Sequence, residues 1–217
     1  MSWFIIAILG YAAMSLVFVL DKIILSKSLG KPVVYTFYST IYFFAALLVI
    51  PFGVELLNTP MHWFWAIISG LAFGFGLWTM FIAVKKGEAS HINPFIGAVI
   101  TMATYVMSAI FLSETLSNVQ IIGINILVLA SFLLAFEKSK KYSGVHIGFL
   151  WAIVAGLFFA LSHVSAKYIY ELYPFLTGLV WTKATVGIVG LIVLFYPSVR
   201  KALKPKKKKA KTYAKRH

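Results

Sequence analysis

Seven apolar runs punctuate the chain, at about 4–20, 35–54, 63–84, 92–112, 119–136, 147–168 and 175–196, with polar and basic residues gathered between them. Each is close to the roughly 20 residues that an α-helix needs to cross a hydrocarbon core of about 30 Å. Barrel strands are about half that length and alternate in polarity, whereas these runs are continuous, which excludes a transmembrane β-barrel. Helices, which satisfy their own backbone groups in lipid, are the remaining solution. The pattern therefore predicts an all-α, polytopic transmembrane bundle of about seven helices. The first run has no Lys or Arg before it and is too long for a signal-peptide core, so it is read as the first spanning helix.

The fourth run carries a polar stripe. Asn93, Gly97, Thr101, Thr104 and Ser108 recur at helical spacing and share one face, which is small and hydrogen-bonding. Pro94 is expected in the first turn of this helix, where its missing N–H breaks no internal bond. The run stops abruptly before Ser113 and Glu114, which open a short turn. In the second run Tyr42 lies deep enough to line a cavity. The third contains Gly70 and Gly74 in the G-x-x-x-G spacing that lets two helix backbones approach, with Trp78 further along.

Composition agrees with this reading, since 61% of residues are hydrophobic and only 12% charged. A soluble domain needs a more polar surface. There is no cysteine, which excludes disulfides. The sequence contains no phosphate-binding loop, nucleophile elbow or cluster of metal-ligand spacing, so neither an enzyme nor a metal or cofactor is expected.

The ionisable residues inside the runs carry the candidate chemistry. Lys183 falls near the middle of the seventh run, where a charge costs roughly 2.5–3.5 kcal/mol, a cost that favours a cavity-facing position. His163 and Lys167, four residues apart on the sixth run, can converge on it. All six acids, Asp21, Glu55, Glu88, Glu114, Glu137 and Glu171, fall near run ends or in connectors. A buried carboxylate that exchanges protons for a cationic drug is missing, so the expected solute is neutral, zwitterionic or anionic.

Twenty Lys and Arg against six acids give a formal charge of +14. Ten of the twenty lie at 200–216, and Lys22, Lys27, Lys31, Lys85, Lys86, Lys138, Lys140 and Lys141 fall in connectors one, three and five. If seven helices cross, these positions share one side. The positive-inside rule places that side in the cytoplasm and the N-terminus outside, in a multi-pass protein of the cell membrane. Beside a membrane helix the tail is expected to attract anionic lipid, not nucleic acid.

An offset of 145 residues lays the sixth run and its exit over the first, matching Lys167 to Lys22. The expected organisation is a five-helix unit at 1–141, two helices of a second unit at 142–199, and a disordered basic tail at 200–217. An odd helix count makes the second unit an inverted repeat.

The stretch AVKKGEASHINPFIGAVITMATYVMSAIFLSETLSNVQIIGINILVLAS resembles the core of an EamA-type unit of the drug/metabolite transporter superfamily. The resembling features are Ala89 and Ser90, Pro94, the turn from Phe111 to Glu114, and the entry at Gln120 and Gly123. The resemblance implies two five-helix units around a central cavity that moves small metabolites by alternating access, with Glu114 as a turn-stabilising residue. Substrate contacts are expected at Lys183, His163, Tyr42, Asn93, Thr101, Thr104, Ser108 and Trp78, with Pro94, Gly70 and Gly74 structural. Three more helices are expected for a complete second unit. The seven-helix chain therefore reads as a truncated product, a shortened form, or one that completes its cavity in a homo- or hetero-oligomer. The competing expectation is a non-transporting membrane scaffold or partner subunit.

Overall fold

A computed structural model describes residues 2–25, 31–113, 115–135 and 147–204. Its helices are α1 (Ser2–Ile23), α2 (Pro32–Ile41), α3 (Pro60–Lys86), α4 (Ala89–Phe111), α5 (Asn118–Ala135), α6 (Ile147–Leu172), α7 (Phe175–Ala184), α8 (Val186–Leu194) and α9 (Pro197–Leu203). A 3-10 segment, Tyr42–Phe52, continues α2. Among the described residues six apolar spans are long enough to cross a membrane, and Asn118–Leu133 is a shorter apolar helix. Glu114, the unit boundary at 141 and most of the basic tail lie outside the described residues.

The long α3 is the centre of the bundle and packs chiefly against α6, which also meets α4. Lipid tails are as apolar as leucine, so close van der Waals contact and interhelical hydrogen bonds must hold such helices together. The buried face of α3 is accordingly built largely from small residues, including Ala66, Ser69, Gly70, Ala72, Gly74 and Gly76. A Cβ on Gly70 would lie 2.0 Å from Thr185 Oγ1, and one on Gly74 2.6 Å from a Val189 methyl. The G-x-x-x-G pair thus receives the middle of the seventh span. Ser69 Oγ donates to Ser162 O at 3.1 Å, joining α3 to α6.

The polar contacts sort into two ends. At one, Lys22 Nζ donates to Val84 O at 2.8 Å and Gly87 O at 2.7 Å, capping the C-terminal carbonyls of α3 where a cation is favoured. Its neighbour Asp21, only 6% exposed, accepts from the Tyr35 hydroxyl of α2. Asp21 and Lys22 thus tie the end of α1 to two other helices. At the same end Lys31 Nζ lies 3.3 Å from Ser198 Oγ, and Lys86 stands 6.0 Å over the Trp151 ring.

At the other end Trp181 Nε1 donates to Glu55 O at 2.7 Å, and Tyr173 Oη accepts from Asn58 N at 2.7 Å. Trp65 meets Phe111 and Tyr168 there as well. Connectors one and three and the start of α9 thus share one end, and connectors two, four and six share the opposite one.

Two spans are interrupted. The span of α2 changes from α to 3-10 winding after Ile41, and the seventh divides at Thr185 into α7 and α8. Each interruption carries a buried threonine whose hydroxyl turns back on its own helix, a bond that bends helices. Thr40 Oγ1 lies 2.7 Å from Thr36 O, and Thr185 Oγ1 lies 2.9 Å from Trp181 O.

Candidate solute-binding site

The stripe on α4 follows from its spacing, but the helix begins at Ala89, with Glu88 as its cap, earlier than the apolar run. Pro94 consequently sits in the second turn, not the first as the run start suggested, and its ring leaves Ser90 O without the usual intrahelical donor. The helix stops when the Leu112 amide closes on Ser108 O at 2.9 Å and Ser113 takes a φ of 54°. That left-handed residue after the last turn is the usual device for ending a helix, here without glycine.

A cleft of about 350 Å³ opens where this stripe meets the next two helices. Ile100, Thr101, Thr104, Tyr105 and Ser108 of α4 form one wall, Leu116 and Ile124 come from the connector and α5, and His163 comes from α6. Hydroxyls and an imidazole therefore face aliphatic side chains across a small space inside an apolar bundle. Sites for small molecules combine the same two elements, an apolar surface and a few placed polar groups.

The hydroxyls differ in their commitments. Thr101 Oγ1 donates to Gly97 O at 2.9 Å and is satisfied within its helix. Thr104 Oγ1 is buried with no hydrogen-bond partner among the described residues. Such a group is costly unless something else satisfies it. His163 is accessible at the cleft, and the Phe159 ring stacks on it with centroids 6.5 Å apart.

Lys183 is outside the lining but connected to it through rings. Its Nζ stands 4.6 Å over Phe73, whose ring meets Phe159 at 5.4 Å, and Phe159 in turn covers His163. Lys167 does not join this row; it lies 3.8 Å from Glu171 near the end of α6.

The structure thus brings Thr101, Thr104, Ser108 and His163 into one cleft, with Lys183 behind two phenylalanines. The remaining sequence candidates lie elsewhere. Tyr42 is 73% exposed on the 3-10 segment, and Trp78 packs against Phe75 and Tyr196. Asn93 shares the stripe but does not line the cleft, although its Oδ1 is buried with no hydrogen-bond partner among the described residues. Ile100, Tyr105, Leu116 and Ile124 were not anticipated; Tyr105 is adjacent to Thr104, and the three aliphatic residues offer no contrast with other apolar positions.

The EamA-like transporter family matches residues 1–136, more than half of the chain. The chain belongs to this family. No curated protein and no solved structure was found to match it. Membership makes the protein a multi-pass membrane transporter of the drug/metabolite type. It also gives the EamA-like entry at Gln120 a physical role, because Gln120 Oε1 accepts from Ser117 N at 2.9 Å while Ser117 Oγ accepts from Gln120 N at 3.4 Å. This reciprocal pair is a capping box that starts α5. The α4 stripe and cleft lie within the matched region, except for His163, which α6 supplies from beyond it.

Proposed function

We propose that the protein moves a small metabolite across the cell membrane by alternating access, with the α4–α5–α6 cleft as its solute site. The observation that carries this reading is the convergence of Thr101, Thr104 and Ser108 with His163, from two separate helices, on one cleft inside an apolar bundle. Thr104 supplies a hydroxyl with no partner among the described residues, His163 a donor or acceptor according to its tautomer, and the aliphatic wall excludes water. The solute is neutral, zwitterionic or anionic, since none of the described lining residues is an acid.

The concentration of basic residues at connectors one and three and around α9 supports a cytoplasmic location for that end. On this reading connectors two, four and six face outward, and the basic tail lies against anionic lipid on the inner surface. Purified protein in liposomes tests the function. Uptake of a radiolabelled solute should be found in a broad metabolite panel and should fall at least about tenfold in His163→Ala, a loss of about 1.4 kcal/mol. Unchanged uptake in that variant overturns the assignment of the site.

A further inference from the structure

We propose that the charge of Lys183, set behind the cleft, attracts an anionic group on the solute, so that the transported molecule carries a carboxylate or phosphate as well as hydrogen-bonding groups. The inference rests on the reading of the cleft as the solute site and narrows its substrate class.

Lys183 stands near the middle of the 20-residue apolar span Phe175–Leu194, well away from either end of α7 and α8 taken together. Its Nζ lies over the Phe73 ring at 4.6 Å and forms no ion pair or hydrogen bond with a described residue. A quadrupole offsets part of the cost of holding an ammonium away from water, but it leaves three N–H donors without acceptors. An unpaired cation at this depth is expensive, and such residues in membrane helices mark solute or ion paths.

The described acids are committed elsewhere. Asp21 accepts from Tyr35 at the basic end, Glu88 lies 3.5 Å from His91, Glu171 pairs with Lys167, and Glu55 is exposed in connector two. His163, which the Phe159 ring links to Phe73 beneath Lys183, adds no negative charge. Among the described residues the path therefore holds a positive charge without an internal counter-charge, and an anionic solute supplies one. Attraction of this kind is stronger in a water-poor bundle than in solution.

The arrangement also suggests how the solute is oriented. Phe73 and Phe159 separate Lys183 from the cleft, while His163 touches both the ring row and the cleft. Polar groups of the solute meet Thr101, Thr104 and Ser108, and its anionic end points past His163 towards the ammonium. Because Lys183 is at mid-span, the anion comes from a soluble molecule and not from a phosphate at the lipid headgroup level.

The test uses the full chain in phosphatidylcholine nanodiscs and two pairs of probes matched in size but not in charge, benzoate against benzamide and glycolate against glycolamide, with phenyl phosphate against the smaller phenol as the phosphate pair. Binding is followed by tryptophan fluorescence, Trp181 being two residues from Lys183. At least one anion should bind about tenfold or more tightly than its uncharged partner. Lys183→Met should erase the difference, whereas Lys167→Met should preserve it. Equal binding within every pair, or a preference that survives Lys183→Met, overturns the anion assignment and leaves the cleft as a site for uncharged solutes. No binding by any probe overturns both readings. Loss of anion binding when phosphatidylglycerol is added shows a lipid at Lys183 and also overturns the proposal.

Discussion

Thr40 and Thr185 are related by the same 145-residue offset that matches Lys22 to Lys167, and each turns its hydroxyl back on its own helix where regular α winding ends. Each is also received by a glycine on another helix. A Cβ on Gly190 would lie 3.1 Å from Thr40 Oγ1, and one on Gly70 2.0 Å from Thr185 Oγ1. Thr185 adds a cross-helix bond to Ala66 O at 2.9 Å. The two interruptions thus share one design, a back-bonded threonine seated against a residue with no side chain.

This contact fixes an order of stabilities. Thr185→Val removes the hydroxyl but keeps the shape, and should cost about 0.6–1.7 kcal/mol, the range found for hydrogen bonds between membrane helices. Gly70→Ala should cost more, about 1–3 kcal/mol, since the new methyl overlaps Thr185. Combining it with Thr185→Ala should restore little, because the Cβ would still lie 2.5 Å from the Thr185 carbonyl carbon. Unfolding in mixed micelles measures the series, and full rescue by the double variant would contradict the packing.

Removing the unpaired charge should stabilise the protein. Lys183→Met keeps the chain length and deletes a cation that has no partner ion among the described residues, so in ligand-free protein the melting temperature should rise. The expected gain is about 1–3 kcal/mol, within the translocon-scale cost of a mid-span lysine. A fall in melting temperature would mean that Lys183 is held by something stronger than the Phe73 ring.

Lys22 should behave in the opposite way. Lys22→Met leaves Val84 O and Gly87 O without their donor, at a cost of about 1.5–3 kcal/mol for hydrogen bonds to a charged group. Helix α1 has few other contacts with the bundle. Detergent unfolding should therefore show a loss of stability, together with faster protease cleavage of connector one. Unchanged values for both would place the attachment of α1 elsewhere.

Thr104→Val separates function from folding. The valine is isosteric and the hydroxyl that it removes has no partner among the described residues, so stability should be unchanged or higher by up to about 1 kcal/mol. Uptake should nevertheless fall several-fold. Equal losses of stability and uptake would make Thr104 a packing residue.

Much of the fold was legible because a spanning helix needs a long apolar run, and the runs from Trp63 to Val84 and from Ile147 to Tyr168 lie inside α3 and α6. The candidate cleft was legible where polarity stands out against such runs, as it does at Thr101, Thr104, Ser108 and His163. Its aliphatic wall was not, because Leu116 and Ile124 look like any lipid-facing residue. The interruption at Thr185 depends on Gly70, more than a hundred residues away, and no local pattern announces it. Pro94 was misplaced for a related reason: Ala89, Ser90 and His91 are helical but not apolar enough to extend the run. Tyr42 was expected in a cavity from depth alone, and depth does not determine which face a side chain occupies.

The central claim is that one cleft is reached from both sides of the membrane in turn. The chain contains no cysteine, so a single Thr104→Cys or Ser108→Cys introduces a unique thiol. In protein reconstituted with known orientation, a membrane-impermeant thiol reagent should modify that cysteine from either side, and a bound solute should slow both reactions. Modification from one side only, or from neither, would contradict alternating access through this cleft.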